Sequence, residues 1–173
     1  MYFGVQYYPE HWPEERWRTD AQMMKQAGVN TVRMGEFAWS AIEPEEGRYD
    51  FSWLDRAIAL LHEHGIKTIL CTMSRTPPPW VFQANPDILN TTLQGRSTHG
   101  VRYTVGLGHE SFVRAAERID RAVIEHYSGN EAIAGWQIDN EVGGGNDCYC
   151  SECHHLFHTY LEDKYGTVKR LNE

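Results

Sequence analysis

The sequence predicts an α/β fold of consecutive βα units packed around a parallel sheet. Four short apolar runs alternate with four stretches of helical period. The helical stretches stop at glycines such as Gly28, Gly65 and Gly166, and no repeat or low-complexity linker breaks the alternation.

Tyr2 to Tyr8 is the first β-type run, and Pro9 ends it. Pro13 suits the start of a helix, with Trp17, Ala21 and Met24 at helical spacing. Val29 to Met34 is the second strand and leads into Gly35-Glu36. Asp50 is a plausible N-cap for a helix whose apolar face is Trp53, Leu54, Ala57, Ile58 and Leu61. Ile66 to Met73 is the third strand. The connection from Arg75 to Gly108 carries Pro77, Pro78, Pro79 and Pro86 and is too irregular for one element. Connections of that length inside a domain are usually functional or disordered. A third helix spans Ser111 to Tyr127, with Phe112, Ala116, Ile119 and Val123 facing inward. Ala132 to Ile138 is the fourth strand. The last helix carries Leu156, Phe157, Tyr160 and Leu161, and Thr167 can cap one more.

Such a sheet is either doubly wound or part of a (β/α)₈ barrel. No glycine-rich phosphate loop follows the first strand, which counts against a doubly wound nucleotide fold. A full barrel needs about 250 residues, and the 173 residues here supply about half of the eight units.

The chemistry concentrates at Gly135-Trp136-Gln137-Ile138-Asp139-Asn140-Glu141, where an apolar run ends in an Asn-Glu pair followed by Gly143, Gly144 and Gly145. In parallel α/β folds the C-terminal strand ends carry the catalytic groups. A carboxyl delivered there, beside Trp136, suits proton donation to a glycosidic oxygen. Asn140 can hydrogen-bond a substrate hydroxyl; the competing reading of Glu141 is a solvated strand-end acid. The aromatics Tyr7, Tyr8, His11, Trp12, Phe37, Trp39 and Trp80 fall at strand ends or in loops, as stacking surfaces for sugar rings would. Arg33, Glu36 and Arg102 are placed to meet sugar hydroxyls. Taken singly, each of these has a structural reading, Arg33 as an ion pair within the barrel and Trp39 as packing.

A net charge of -8, with no basic stripe, argues against nucleic acid. No apolar run approaches the roughly 20 residues of a membrane span, and no signal peptide precedes the first strand. Cys148, Cys150 and Cys153 form a C-x-C-x-x-C cluster, while Cys71 lies alone on the third strand. That is no disulfide framework, so a reducing, cytoplasmic location is expected. Three thiols in six positions can converge on zinc, and a structural site needs a fourth ligand. Cys71, His154, His155 or a residue of the long connection could supply it; the alternative is three reduced surface thiols.

Tyr7-Tyr8-Pro9-Glu10-His11-Trp12, Arg33-Met34-Gly35-Glu36-Phe37-Ala38-Trp39-Ser40, the 135–141 stretch and the cysteine cluster together resemble the family 42 glycoside hydrolases, mostly β-galactosidases. The resemblance implies a retaining β-galactosidase on a (β/α)₈ barrel, often a homotrimer, of which residues 1–173 are the N-terminal half. It implies Glu141 as acid/base, Asn140 and Arg102 as galactoside-binding residues, and Cys148, Cys150 and Cys153 as three of four zinc-binding cysteines. Where the family has its first cysteine, this chain has Thr104-Val105-Gly106, so the site is either lost or completed by another group such as His109. The family's nucleophile, a second glutamate after strand seven, falls beyond Glu173. Glu36 matches no nucleophile motif. Three readings follow: a piece of a galactoside hydrolase that is inactive alone, a dead galactoside-binding module, or a zinc-stabilised interaction module.

Overall fold

The computed structural model describes residues 1–100, 104–141 and 147–173. Its sheet strands are β1 (Gly4–Gln6), β2 (Thr31–Met34), β3 (Lys67–Cys71) and, after a small antiparallel hairpin of β4 (Thr91–Thr92) and β5 (Gly95–Arg96), β6 (Ile133–Gln137). The sheet is parallel throughout in the order β1-β2-β3-β6, so each strand lies beside the previous strand of the same sheet. Val5 pairs with Val32, Met34 with Leu70, and Leu70 with Trp136. The register slips by one residue between Thr68 and Ile69 opposite β6, an irregularity that bends and re-aims a strand.

The helices are α1 (Glu14–Gln26), α2 (Trp39–Ile42), α3 (Ser52–Glu63), α4 (Pro79–Ala84), α5 (Glu110–Tyr127), α6 (Ser151–Tyr165) and α7 (Val168–Leu171). The apolar spacing read in the sequence is the buried face in each long helix of the core: Trp17 and Ala21, then Leu54, Ala57, Ile58 and Leu61, then Phe112, Ile119 and Val123. Ala115 takes the fully buried place expected for Ala116, which packs partly buried beside it. With Val32, Met34 and Leu70 of the central strands these side chains form one core. Phe51, not Asp50, is the N-cap of α3, because the chain turns into the helix one residue later, though the Asp50 carboxylate still accepts from the Ser52 amide at 2.9 Å; Thr167 caps α7.

The described part of the long connection forms several small pieces. α4 and a 3₁₀ turn at Pro86–Ile88 precede the hairpin, and backbone bonds Asn90 N to Thr104 O and Gly106 N to Ile88 O (both 2.8 Å) fold the segment on itself. A buried carboxylate ties it down. Glu43, with no exposed surface, accepts from the Trp39 indole at 2.7 Å and the Gly47 amide at 2.8 Å, and pairs with Arg118 of α5 at 3.3 Å. Its carbonyl accepts from the Trp80 indole of α4 at 2.9 Å. Trp39 is therefore a wholly buried structural residue and no sugar platform.

Two surfaces carry apolar groups to the outside. β1 and β6 each have a β partner on one side only among the described residues, and Val5, Trp136 and Ile138 stand exposed along them. α6 buries none of its residues, and Leu156, Phe157 and Tyr160 are each about half exposed. Among the described residues no helix is long and apolar enough to cross a membrane.

Glu43→Gln should destabilise the fold by roughly 2–3 kcal/mol, below the full cost of breaking a buried pair because Arg118 is about one-third exposed and also reaches Glu46. Urea unfolding checks this; a loss below about 0.5 kcal/mol would mean that Glu46 and solvent satisfy Arg118 without it.

Candidate active site

The strands end together at one lip, and the residues just beyond β2, β3 and β6 converge there. After β6 the backbone takes a course that L-residues avoid: Asp139 has φ 52° and Glu141 φ 50°. Each such position costs roughly 1–3 kcal/mol and persists only where its surroundings overdetermine it. Here they do. The Asp139 amide donates to the Thr72 hydroxyl at 2.8 Å, the Ser74 hydroxyl donates to the Asp139 carboxylate at 3.1 Å, and that carboxylate accepts from the Asn140 amide at 2.7 Å. The Gln137 side-chain amide donates to the Asp139 carbonyl at 2.6 Å. The result is a clamped turn that presents Asn140 half-buried and Glu141 exposed at the lip.

Arg33, on β2, reaches across the end of β3 to this turn. Its guanidinium donates to the Gln137 side-chain oxygen at 2.7 Å, to the Asn140 side-chain oxygen at 3.1 Å and to Glu36 at 2.8 Å. Its partial burial alone would lower its pKa, but the Glu36 carboxylate outweighs that and holds it raised. The Asn140 side-chain oxygen is thus held by Arg33. Glu36 also accepts from the Tyr8 hydroxyl at 3.1 Å and is buried. Gly35 brings Glu36 under Arg33: its φ is 94°, and a Cβ there would meet Leu70 Cδ1 at 3.0 Å. Glu36 is thus engaged as the counter-ion of Arg33.

The aromatics expected to gather do so only in part. Tyr8 stacks on His11 at 5.3 Å and leans on Phe37 at 5.6 Å beside Glu36. Tyr7 is buried against Asp20, and Trp12 lies exposed beneath the Arg16 guanidinium. Next to Phe37, a cavity of about 280 Å³ is lined by Arg75, Thr76, Pro79, Phe82 and His99. Arg102 and Gly143, Gly144 and Gly145 lie outside the described residues.

Behind the turn lies an acid pair that motif reading passed over. Asp120 of α5 is pushed up to about 6, first by burial and then by the nearby Asp139 charge, with Ser74 in hydrogen-bonding contact. Asp139 is also raised, mainly by burial. Ser74 has one hydroxyl proton, given to Asp139, so Asp120 meets it best when protonated. The signal was available: Thr72 and Ser74 are two residues apart, on one side of an extended chain, and Asp139 is an acid at the end of an apolar run.

The cysteine cluster sits across the same end of the molecule. The sulfurs of Cys148, Cys150 and Cys153 lie within 4.8 Å of one another, and no other such group occurs among the described residues. Cys153 is pushed up to about 12 by burial and by its two sulfur neighbours. Cys148 is lowered, backbone hydrogen bonds at Cys150 and Thr91 outweighing its burial. Three sulfurs this close suit a soft divalent cation, which would replace the thiol protons. Cys71 is wholly buried and pushed up to about 12, chiefly by burial; it is a core thiol and no part of the cluster.

A parallel βα array with an acid at the lip of a strand defines the class: a βα-barrel type of scaffold, whose sites are assembled at the C-terminal strand ends. The family 42 glycoside hydrolase model, described as beta-galactosidase, matches residues 6–173. A beta-galactosidase of Thermus thermophilus is 46% identical over 173 residues, 98% of this chain and 27% of its own. Beta-galactosidase Bga of Halorubrum lacusprofundi is 43% identical over all of this chain and 25% of its own. The crystal structure of a beta-galactosidase from the psychrophilic Marinomonas ef1 superposes with a TM-score of 0.93 at 39% identity, covering 99% of this chain and 27% of that one. This chain belongs to glycoside hydrolase family 42, and its fold is the first few βα units of a (β/α)₈ barrel. It spans about a quarter of the length of these relatives.

Thr72→Val should cost about 1–3 kcal/mol by orphaning the Asp139 amide, and amide hydrogen exchange at Asp139 and Asn140 should quicken more than in the core. Equal quickening throughout would show that Thr72 has no special hold on the turn. Asp120 binds its proton more tightly folded than unfolded, so its stabilising effect is full below about pH 4 and is lost as pH rises to about 6. Asp120→Asn should flatten stability against pH in that window, measured by thermal unfolding.

Proposed function

We propose that this chain is the N-terminal half of the catalytic barrel of a retaining glycoside hydrolase that acts on terminal β-D-galactosides. Glu141 is the acid/base. It gives its proton to the glycosidic oxygen as a carboxylate nucleophile attacks the anomeric carbon; it then takes a proton from the water that releases the sugar. Asn140, with Arg102, holds sugar hydroxyls. The observation that carries the reading is the clamped turn, which fixes an Asn-Glu pair at the strand lip at the expense of two unfavourable backbone conformations.

The nucleophile must lie about 5–5.5 Å from Glu141. Glu36 is not suited to that role, since Arg33 and Tyr8 already engage it. The nucleophile therefore comes from outside this chain. Glu141 is exposed here, so the water-excluding wall that a general acid needs comes with it. Cys148, Cys150 and Cys153 hold zinc in a structural role, as a cross-link that leaves the reaction itself to the carboxylates.

A second reading, a galactoside-binding module without turnover, is favoured by the engagement of Glu36. Hydrolysis of a nitrophenyl β-galactoside by the 173-residue chain, beside its Glu141→Gln variant, tests both. No turnover by folded protein is expected from the chain alone. In a chain as long as the relatives, Glu141→Gln should lower turnover of natural galactosides by roughly 10²–10⁴-fold while partly sparing aryl galactosides with good leaving groups. Equal loss on both substrates would remove Glu141 from the acid role.

A further inference from the structure

The three-thiol cluster is one donor short of a closed tetrahedral site, and the structure places a nitrogen beside it. His109 precedes α5, at the end of the segment that carries Thr104, Val105 and Gly106, and is only 8% exposed. Its Nε2 lies 3.4 Å from the Cys150 sulfur. Tetrahedral zinc with bonds of about 2.3 Å to sulfur and 2.0–2.1 Å to nitrogen sets the two donors about 3.6 Å apart, and two sulfurs about 3.8 Å apart. The first is close to the 3.4 Å observed; the three sulfurs lie within 4.8 Å of one another, a set that does not yet include the His109 nitrogen, so the imidazole has to draw closer to the other sulfurs as metal binds.

The other face of the ring is equally telling. His109 Nδ1 is 2.7 Å from the Glu152 carboxylate, whose second oxygen accepts from the Glu110 amide at 3.1 Å. A carboxylate on Nδ1 keeps the proton there and turns the Nε2 lone pair to the sulfurs, as in the carboxylate–histidine–zinc arrangement. The imidazole and the Cys148 sulfur together leave no room for a side chain at Gly106. A Cβ on Gly106 would stand 2.8 Å from the imidazole Cδ2 and 3.1 Å from the Cys148 sulfur.

We propose that His109 Nε2 completes a Cys148, Cys150, Cys153, His109 zinc site, with Glu152 as the carboxylate that orients the imidazole. The proposal rests on the zinc part of the reading above and is independent of its glycosidase part. The metal joins the residue before α5 to the residues at the start of α6. It thereby closes a covalent-like loop around the βα unit that contains α5, β6 and Glu141.

The test uses the 173-residue chain, stripped of metal under reducing conditions and titrated with cobalt(II), with zinc affinity measured by chelator competition. One equivalent of tetrahedral cobalt with ligand-field bands of a three-sulfur, one-nitrogen site is expected. H109C should move those bands to lower energy, as a four-thiolate site. H109A should weaken zinc binding more than tenfold. E152Q should keep the band positions and weaken binding roughly tenfold. Identical spectra and affinities for wild type and H109A would overturn the proposal and leave His109 as a hydrogen-bond partner of Cys150. If H109A does not fold, H109C decides, since binding without a band shift overturns the proposal equally. No metal uptake by the wild-type chain would overturn both the proposal and the three-thiol reading, with the glycosidase reading unaffected.

Discussion

The guanidinium of Arg33 is the contact on which the rest of the site depends. A parallel sheet holds its strands side by side but does nothing to align the residues beyond their ends, because the hydrogen-bond ladder stops there. Arg33 extends the alignment by one layer of side chains: a planar fork with fixed donor directions joins Glu36 after β2 to Gln137 and Asn140 at the end of β6. Lysine could carry the charge but not the geometry. Gly35 and Tyr8 matter through this contact, one by bending the chain so that Glu36 arrives and the other by occupying the same carboxylate.

The turn at Asp139 depends on a different balance. Two L-residues sit in left-handed conformations within three positions, and a set of polar contacts to β6 and to the residues after β3 holds them there. The strain and the contacts belong to one device. A relaxed loop would let the Asn-Glu pair wander, whereas the clamped one holds it at a fixed place on the lip. The acid pair of Asp120 and Asp139 adds a chemical constraint, since both lie near Ser74 and its one hydroxyl proton goes to Asp139.

Much of this was legible in the sequence. The helical spacing of Leu54, Ala57, Ile58 and Leu61 is the buried stripe of α3, because a stripe at that period has one way to meet a sheet. The place of the Asn-Glu pair was legible because polar residues that end an apolar run fall at the C-terminal end of a strand. What stayed hidden depends on contacts between distant positions. Nothing local separates Arg33 as a sugar ligand from Arg33 as the brace of Asn140, 107 positions away. Trp39 reads as a loop aromatic until Glu43 is seen to bury its indole. The irregular connection from Arg75 to Gly108 hid its order because its pieces are each only a few residues long.

The strand order has a consequence for how the molecule is made. Each sheet strand pairs with the one before it in the chain, so β2, β3 and β6 each find their neighbour among residues already synthesised. During translation, at roughly 5–20 residues per second, the growing sheet can add one βα unit at a time, with no strand waiting for a later partner on its inner side. The last strand to arrive always presents the open edge, where Trp136 and Ile138 now stand exposed. That edge is the template on which a following strand would form, and until one does it is the place where a nascent chain is most exposed to mispairing.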